Sequence, residues 1–560
     1  MPDPESGPPE TAGRVLEQGK RLSESMLWRL QRRFFDLQGV QAWTEGTVPS
    51  YITSNGWIAG AYAKVVLGWL RDGSGAASPK RGSFAPLDLR HPVHIVELGS
   101  GSGRFGYLFL NRLLDLLGRS SLSHVAVRYV LTDFTESNLD HLRNHPDLQP
   151  FVESGVLDFA RYNAGEDAEI RLSHSGEVLS PQTLRNPLIV LANYVFDGIP
   201  QDVFSVRGGQ LHECLLTLTA PEGEPDLEDP GLLERIEASW EEHTAPDTYY
   251  GDPELDRILQ EYAEGLDNTT FLFPCAAIRC VRHLARLSDN RLLLLSGDKG
   301  YSREELLAER GEPALAFHGS FSMMVNYHAL GRWFVHQGGE LLNTTHLHSS
   351  LVIVAGLLGT PPGGLIETRL AFGDAIERMG PDDFFELKKS VERGYDELSL
   401  EGLLAWLRLS GWDSHILLGC FPALIKQVGE ASDILRSEVY RAVHEIWKAY
   451  FPLRESQDLP FHLGVLLCEI QCYEDALPFF HQSIALYGPN PATVFNQGLC
   501  LFHLGNPEAA LAHAERSLEG APDFEPAQAL RDEAAAAIRK KTKRKAGRKK
   551  AAERNRAKRT

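Results

Sequence analysis

Residues 93–107 read Val-His-Ile-Val-Glu-Leu-Gly-Ser-Gly-Ser-Gly-Arg-Phe-Gly-Tyr, an apolar run that ends in an acid and breaks into glycines. Gly99, Gly101, Gly103 and Gly106 allow backbone N–H groups to approach a ligand closely, and the apolar stretch from Tyr107 to Leu117 starts a helix behind them. Such a turn suits a nucleotide-like cofactor. Gly101-Ser-Gly-Arg-Phe-Gly106 satisfies the dinucleotide pattern G-x-G-x-x-G, which alone is a weak signal. That pattern expects a ribose-binding acid about 20 residues on. Here the acid at the end of the next apolar run is Asp133, thirty positions after Gly103. The longer spacing and the alternation Glu97-x-Gly99-x-Gly101-x-Gly103 favour S-adenosylmethionine (SAM). Because SAM has no pyrophosphate, the turn needs no phosphate-specific role. Glu97, Gly99, Gly101 and Gly103 are candidate cofactor ligands.

More polar residues stand at the ends of apolar runs. Asp133 follows Val125–Thr132, where its carboxylate suits both ribose hydroxyls; a helix cap shared with Thr135 is the competing role. Asn163 follows Leu157–Tyr162 and suits an adenine edge, with Asp158 as the alternative and turn formation as the competing role. Asn193 and Asp197 follow Leu188–Ala192, at the crevice position of an open α/β sheet. They are the catalytic candidates, placed to align an acceptor with the methyl donor, and alignment itself supplies much of a rate. His318, His328, His336, His346 and His348 crowd together without an H-x-x-x-H helix motif. The close pairs Cys275/Cys280 and Cys468/Cys472 lack histidines at zinc spacing, so no metal site is expected.

The elements that must position these residues follow from pattern. Val93–Leu98, Val125–Thr132, Leu157–Tyr162, Leu188–Ala192 and Leu292–Ser296 read as buried strands alternating with helices, a mostly parallel sheet over 91–365. An acidic insertion at about 221–267 reads as a helical cap. Residues 1–90 read as a helical lead, periodic from Arg14 to Leu37 and again from Ile58 to Leu70, closed by a Gly/Ser/Pro-rich linker at 72–90. Residues 366–456 read as a helical connector with no strand beyond Ala371.

Over 457–538 the chain repeats itself: Phe461, Gly464, Ala476, Leu477 and Ser483 recur as Phe495, Gly498, Ala510, Leu511 and Ser517, every offset being 34. That is the period of a tetratricopeptide (TPR) repeat, whose stacked helix pairs offer a concave surface to a protein partner. The Ala-rich stretch Pro526–Ile538 reads as its capping helix.

The net charge of −19 conceals an asymmetry. Residues 539–560 carry thirteen Lys/Arg and one acid, so the rest of the chain is at −31. This basic tail reads as disordered, with weak nucleic acid or ribosome contact as its candidate role. No apolar run approaches a membrane span, no signal peptide opens the chain, and the odd, scattered set of seven cysteines points to a reducing cytoplasm.

Several segments together resemble the MidA-like SAM-dependent methyltransferases, the group that includes mitochondrial complex I assembly factors. Ala192-Asn-Tyr-Val-Phe-Asp-Gly-Ile-Pro200 is similar to their A-N/H-E-F-F-D-x-L-P segment. Leu294-Leu-Ser-Gly-Asp-Lys-Gly-Tyr301 is similar to their D-Y-G-Y strand, and Phe321–Leu330 to D-L-T-x-x-V-D-F-x-x-L. Glu97 stands where methyltransferases carry an acid near the methionine end of SAM. The likeness spans about residues 91–360. It implies a Rossmann-like SAM methyltransferase core, here fused to an all-α TPR module, and activity on a protein side chain; in that family the established substrate is protein arginine. Tyr194 stands in place of the family's glutamate, and Ser320 or Phe321 and Asn326 in place of its later aspartates. Those departures keep open a small-molecule acceptor and a non-catalytic scaffold.

Overall fold

The computed structural model describes residues 14–74, 86–221, 226–347, 350–360 and 363–557. It divides into two compact units, Met1–Glu386 and Leu387–Thr560.

In the first unit, α1 (Met26–Gln38) begins where the Ser25 hydroxyl accepts the Leu27 N–H. The helix α2 (Gly56–Gly73) is capped by Asn55 and is buried on most of its circumference. The core then runs through β1 (Val93–Leu98), α3 (Arg104–Gly118), β2 (Val127–Asp133), α4 (Glu136–Asn144), β3 (Leu157–Arg161) and β4 (Leu188–Asn193). It continues through α5 (Pro253–Gly265), α6 (Cys275–Leu287), β5 (Leu292–Asp298), α7 (Tyr327–His336), β6 (Glu340–Leu342), β7 (Val352–Leu357) and α8 (Ile366–Phe372). The seven strands lie in the order β3-β2-β1-β4-β5-β7-β6, with β1 to β5 parallel and β7 antiparallel to both neighbours. Order reverses between β1 and β4, which makes that point the crevice of a doubly wound sheet.

Period-two alternation assigns the two faces of β1. Val96 and Leu98 join the core that includes α5, α6 and α7. The odd positions face α3, whose Phe105 and Phe109 stack together, with Phe109 against Tyr129 and Phe105 against Tyr62 of α2. The helical lead is thus part of the sandwich. At Gly68, α2 comes so close to α8 that a Cβ would stand 2.6 Å from the Glu367 carbonyl oxygen. The Asp72 carboxylate accepts from the N–H groups of Glu367 and Thr368. Residues 366–372 therefore belong to the first unit rather than to a separate connector.

Two helical expectations give way to strands, the second only in part. Arg14–Lys20 is a strand, and the helix starts only at Met26. The acidic insertion at 221–267 is mixed: Glu237–Thr244 is a strand that pairs with Gln210–Ala220, which also pairs with Arg14–Lys20 and Asp202–Arg207, while Thr269–Phe273, just past the insertion, extends the sheet beyond Asp202–Arg207. Gly208 and Gly209, both left-handed with φ of 57° and 76°, form the two-residue turn that sets this hairpin. The acidic Glu237–Thr244 strand is held by ladder hydrogen bonds, since its side chains are almost all exposed. Among its described residues the insertion also holds the 3-10 helix Pro230–Arg235 and the α-helix Pro253–Gly265, so the helical expectation holds for much of it. Most of the 72–90 linker, 75–85, lies outside the described residues.

The second unit is helical: α9 (Leu400–Leu409), α10 (Ser414–Val428), α11 (Asp433–Ala449), α12 (Leu459–Glu469), α13 (Tyr473–Tyr487), α14 (Pro491–His503), α15 (Pro507–Gly520) and α16 (Glu525–Ala557). The 34-residue repeat marks the close contacts of its helix pairs. A Cβ at Gly464 would stand 2.7 Å from the Phe480 ring, and one at Gly498 would stand 3.0 Å from His513 Cβ. Ser483 and Ser517 are both buried; the first donates to the Asp458 carboxylate and the second to the Pro491 carbonyl. The basic stretch expected to be disordered continues α16 to Ala557. Its Ala, Lys and Arg are strong helix formers, and Gly547 is the only breaker among them.

Candidate functional site

All five parallel strands deliver residues from their carboxyl ends to one cleft of about 270 Å³. Gly99 comes from β1, Asp133 and Phe134 from β2, Tyr162 and Asn163 from β3, Tyr194 to Pro200 from β4, and Lys299 from β5. The opposite wall is aromatic. Trp28, Phe35 and Trp43 come from α1 and the turn after it, and Phe321 comes from the short strand Ser320–Ser322. Phe35 stacks on Trp43 and meets Phe134 edge-on, while Trp28 leans on Phe321 with ring centroids 4.8 Å apart.

The glycine turn is built as its residue types suggest. Gly99, Gly101 and Gly103 have φ of 60°, 51° and 78°, conformations open to glycine at no steric cost. Gly103 is the N-cap of α3. A Cβ at Gly101 would stand 3.0 Å from the Trp43 indole, and one at Gly99 would stand 3.1 Å from Val195. Asp133 ties the turn to β2: one carboxylate oxygen accepts the Gly101 N–H at 3.2 Å, and the other accepts the Thr135 N–H and hydroxyl, each at 2.9 Å. Thr135, not Asp133, is the N-cap of α4; Asp133 anchors that cap residue and also faces the cleft. Burial raises its pKa, against the pull of those hydrogen bonds.

Other expected ligands fall elsewhere. Glu97 occupies an odd position of β1 and so faces α3. Its carboxyl takes the Tyr129 hydroxyl at 2.5 Å, and a Cβ on Gly106 would stand 2.6 Å from it. Burial pushes its pKa up to about 8. The structure does not bring it to the cleft wall. Asn163 does line the cleft, but its side chain builds a turn, donating to Glu166 and accepting from Gly165 N–H. Asp158, the alternative, is buried and accepts from the N–H groups of Phe159, His174 and Ser175.

Of the two catalytic candidates, Asp197 reaches the cleft and Asn193 does not. Asn193 accepts the Tyr62 hydroxyl at 2.8 Å, and its side-chain amide N–H group is buried without a partner among the described residues. Gly297, opposite Asn193 in the β4–β5 register, makes room for this pair; a Cβ there would stand 2.9 Å from both oxygens. Tyr194 is held left-handed at φ 52° while its N–H donates to the Gly297 carbonyl. Its side chain lines the cleft.

Pattern alone did not single out Asp298 and Lys299 at the end of β5. Asp298 is fully buried, accepts the Asp197 and Lys299 N–H groups, and shares a hydrogen bond with the Asp197 carboxyl. Burial pushes Asp197 up to about 7, and burial together with the neighbouring Asp197 pushes Asp298 well above the carboxylate range. Asn326 is a structural residue: it caps α7 through the Ala329 N–H and donates to the Leu272 carbonyl. Elsewhere in this unit His346, Asp382 and Asp383 bring ligand atoms within 4.8 Å of one another. His328 pairs with Tyr262 and His336 with Glu261, and His348 lies outside the described residues.

The residues present fit a nucleoside cofactor. The turn leaves no room for Cβ atoms, a carboxylate stands at the second strand end, and aromatic rings line the wall beside it. No family model and no curated protein matches this chain. Among solved structures it is similar to two proteins of one superfamily from Burkholderia thailandensis. One, uncharacterized, aligns at 12% identity over 60% of this chain and 88% of its own, with a TM-score of 0.36. The other, described as a candidate methyl transferase and solved with S-adenosyl-homocysteine, aligns at 14% identity over 66% and 97%, with a TM-score of 0.36. A thermophilic TPR protein from Thermus thermophilus aligns at 17% identity over 31% of this chain and 89% of its own, with a TM-score of 0.20.

Proposed function

We propose that the first unit is a SAM-dependent methyltransferase. The observation that carries this reading is the convergence of five parallel strand ends at the switch point, with the left-handed glycine turn and Asp133 tied together there by the Gly101 hydrogen bond. In this reading Gly99 and Gly101 give the cofactor its close backbone approach, Asp133 receives the ribose, and the wall of Phe134, Phe35 and Trp43 takes the adenine. Asp197 and Tyr194 face the acceptor. The protein cofactor site is a Rossmann-like one, and the 34-residue helical repeats of the second unit form a TPR module that captures a protein whose side chain is methylated. The basic end of α16 would add weak contacts to nucleic acid phosphates.

Calorimetric titration with SAM and with S-adenosylhomocysteine tests the cofactor. Micromolar binding of both is expected, and no heat with either overturns the reading. Labelled-methyl transfer into a lysate from a deletion strain tests the acceptor; label confined to small molecules overturns the protein-substrate part.

A scaffold without catalysis is the second reading, favoured by one observation. Trp43 already lies against Gly101, and both Asp133 oxygens already have donors, so the cleft is satisfied by its own residues. The same titrations separate the two.

A further inference from the structure

The ends of β4 and β5 bring two acids together, 101 positions apart in sequence, with the Asp197 N–H donating to the Asp298 carboxyl at 3.1 Å. Asp197 lines the cleft, and Asp298 lies behind it with no exposed surface. Two ionised carboxylates cannot share a buried site at low cost, so such a pair holds a proton between them. Which acid holds it follows from the surroundings. Asp298 is the more deeply buried, which favours the proton there, while the Lys299 charge favours ionised Asp197. The other titratable groups that face the pair are Tyr62, Tyr194 and Tyr327, all buried or half-buried phenols whose pKa is raised, chiefly by burial. None of them brings a charge at neutral pH.

Resting on the methyltransferase reading, we propose that Asp197 is the proton acceptor of the cleft, positioned by the protonated carboxyl of Asp298, and that its substrate is an uncharged phenolic hydroxyl. A guanidinium would need surplus negative charge, whereas here a single carboxylate stands beside a lysine. A phenol needs the reverse, a base for its proton and a slot for its ring. Trp28 and Phe321 supply the slot next to Asp197, whose carbonyl accepts the Met323 N–H just beyond the Phe321 strand. In the transfer the acceptor oxygen bonds the methyl carbon and the methyl–sulfur electron pair stays on sulfur. The hydroxyl proton passes to the Asp197 carboxylate, which later returns it to water. An acid with its pKa pushed to about 7 is better matched to a phenol near 10 than an ordinary carboxylate is. Asp197 is the catalytic residue of this scheme, and Asp298 is a positioning residue.

The test uses the full chain. Infrared spectra of the ligand-free chain carrying Glu97→Gln, which removes the other buried acid that titrates in this range, should show a protonated-carboxyl band at pH 6 that loses intensity by pH 8, with a residual part that shrinks on adding Asp298→Asn. With labelled SAM, p-cresol should be methylated and N-acetyl-arginine amide should not. The p-cresol rate should rise about tenfold between pH 6 and pH 8. In Asp298→Asn the midpoint should move upward, because an amide N–H is a weaker donor than a carboxylic O–H; a merely structural role would lower the rate without moving the midpoint. No change of the carboxyl band with pH, label only in the arginine probe, or an unmoved midpoint each overturns the proposal. Failure of SAM to bind overturns the methyltransferase reading instead, and the infrared titration in the Glu97→Gln background still decides on the pair.

Discussion

The two ends of the cleft are made of different material. At the ends of β1 and β2 the wall rests on a backbone turn: Gly99 lines the cleft, Gly101 and Gly103 complete the left-handed turn behind it, and the Asp133 carboxylate ties the Gly101 N–H. At the ends of β4 and β5 it is side chain: Asp197, Lys299 and Tyr194, with Asp298 buried behind them, and burial together with the neighbouring charges raises the pKa of both acids and of the tyrosine. Backbone recognition depends on shape and is indifferent to pH, whereas a carboxyl pair is a titrating device. The first suits binding a cofactor of fixed form, and the second suits handling a proton. Substitutions that act on one end and spare the other test that division.

The largest effect is expected at the side-chain end. Asp197→Asn removes the proton acceptor, and methyl transfer should fall by about 10² to 10⁴ with SAM affinity little changed. The same substitution should stabilise the protein at alkaline pH. Folding raises the Asp197 pKa from 3.8 to about 7, so the stability of the wild type is greatest below the lower value and declines as pH rises through the upper one. Asparagine has no such decline. Its advantage should grow between about pH 4 and pH 7 and level off above, at roughly 1–4 kcal/mol by thermal or denaturant unfolding. A variant that is inactive but no more stable at pH 8 would mean that Asp197 is ionised at little cost.

At the backbone end, Gly101→Val meets two obstacles, a left-handed φ and the Trp43 ring 3.0 Å from the new Cβ. SAM affinity should fall about 100-fold. Normal affinity in a folded variant would place the cofactor elsewhere. Asp133→Asn keeps one acceptor oxygen and loses the charge, and affinity should fall about tenfold at every pH between 6 and 9. A pH-dependent loss would blur the distinction between the two ends.

Legibility in the sequence divides along the same line. The glycine turn and Asp133 were readable because their geometry is local: residue type fixes φ, and each strand end lies next to its turn. The five core strands were readable as short apolar runs of the length that a sheet buried on both faces requires. Asp298 was not, because its role comes from the β4–β5 register, which places Gly297 opposite Asn193 and Asp298 beside Asp197. The aromatic wall was hidden for the same reason, since Trp28 meets Phe321 only in three dimensions. The insertion is helical where its pattern is periodic, at Pro253–Gly265, but its exposed acidic strand Glu237–Thr244 shows no apolar alternation by which to read it. The Gly208-Gly209 pair between alternating runs was the overlooked hairpin signal. The basic tail continues α16 because its Ala, Lys and Arg are strong helix formers, a propensity that its charge composition hides.

Glu97 gives the smallest expected effect and the cleanest separation of shape from charge. It precedes the glycine turn and by sequence belongs to the cofactor site, but strand alternation turns it beneath α3, against Tyr129. Its pKa is raised by burial to about 8, so it too is largely a neutral acid near neutrality. The Asp197 pair faces the cleft and Glu97 does not. Glu97→Gln preserves volume and an acceptor for the Tyr129 hydroxyl, so SAM affinity should stay within about twofold of wild type in calorimetry, since no hydrogen bond to the cofactor is lost. The sign of its pH linkage matches that of Asp197. Stability that the wild-type glutamic acid loses between about pH 4.5 and pH 8 should be retained by the glutamine variant. A gain in alkaline stability without a change in affinity would identify Glu97 as a buried acid of the packing between β1 and α3. A tenfold loss of affinity would return it to the cofactor site.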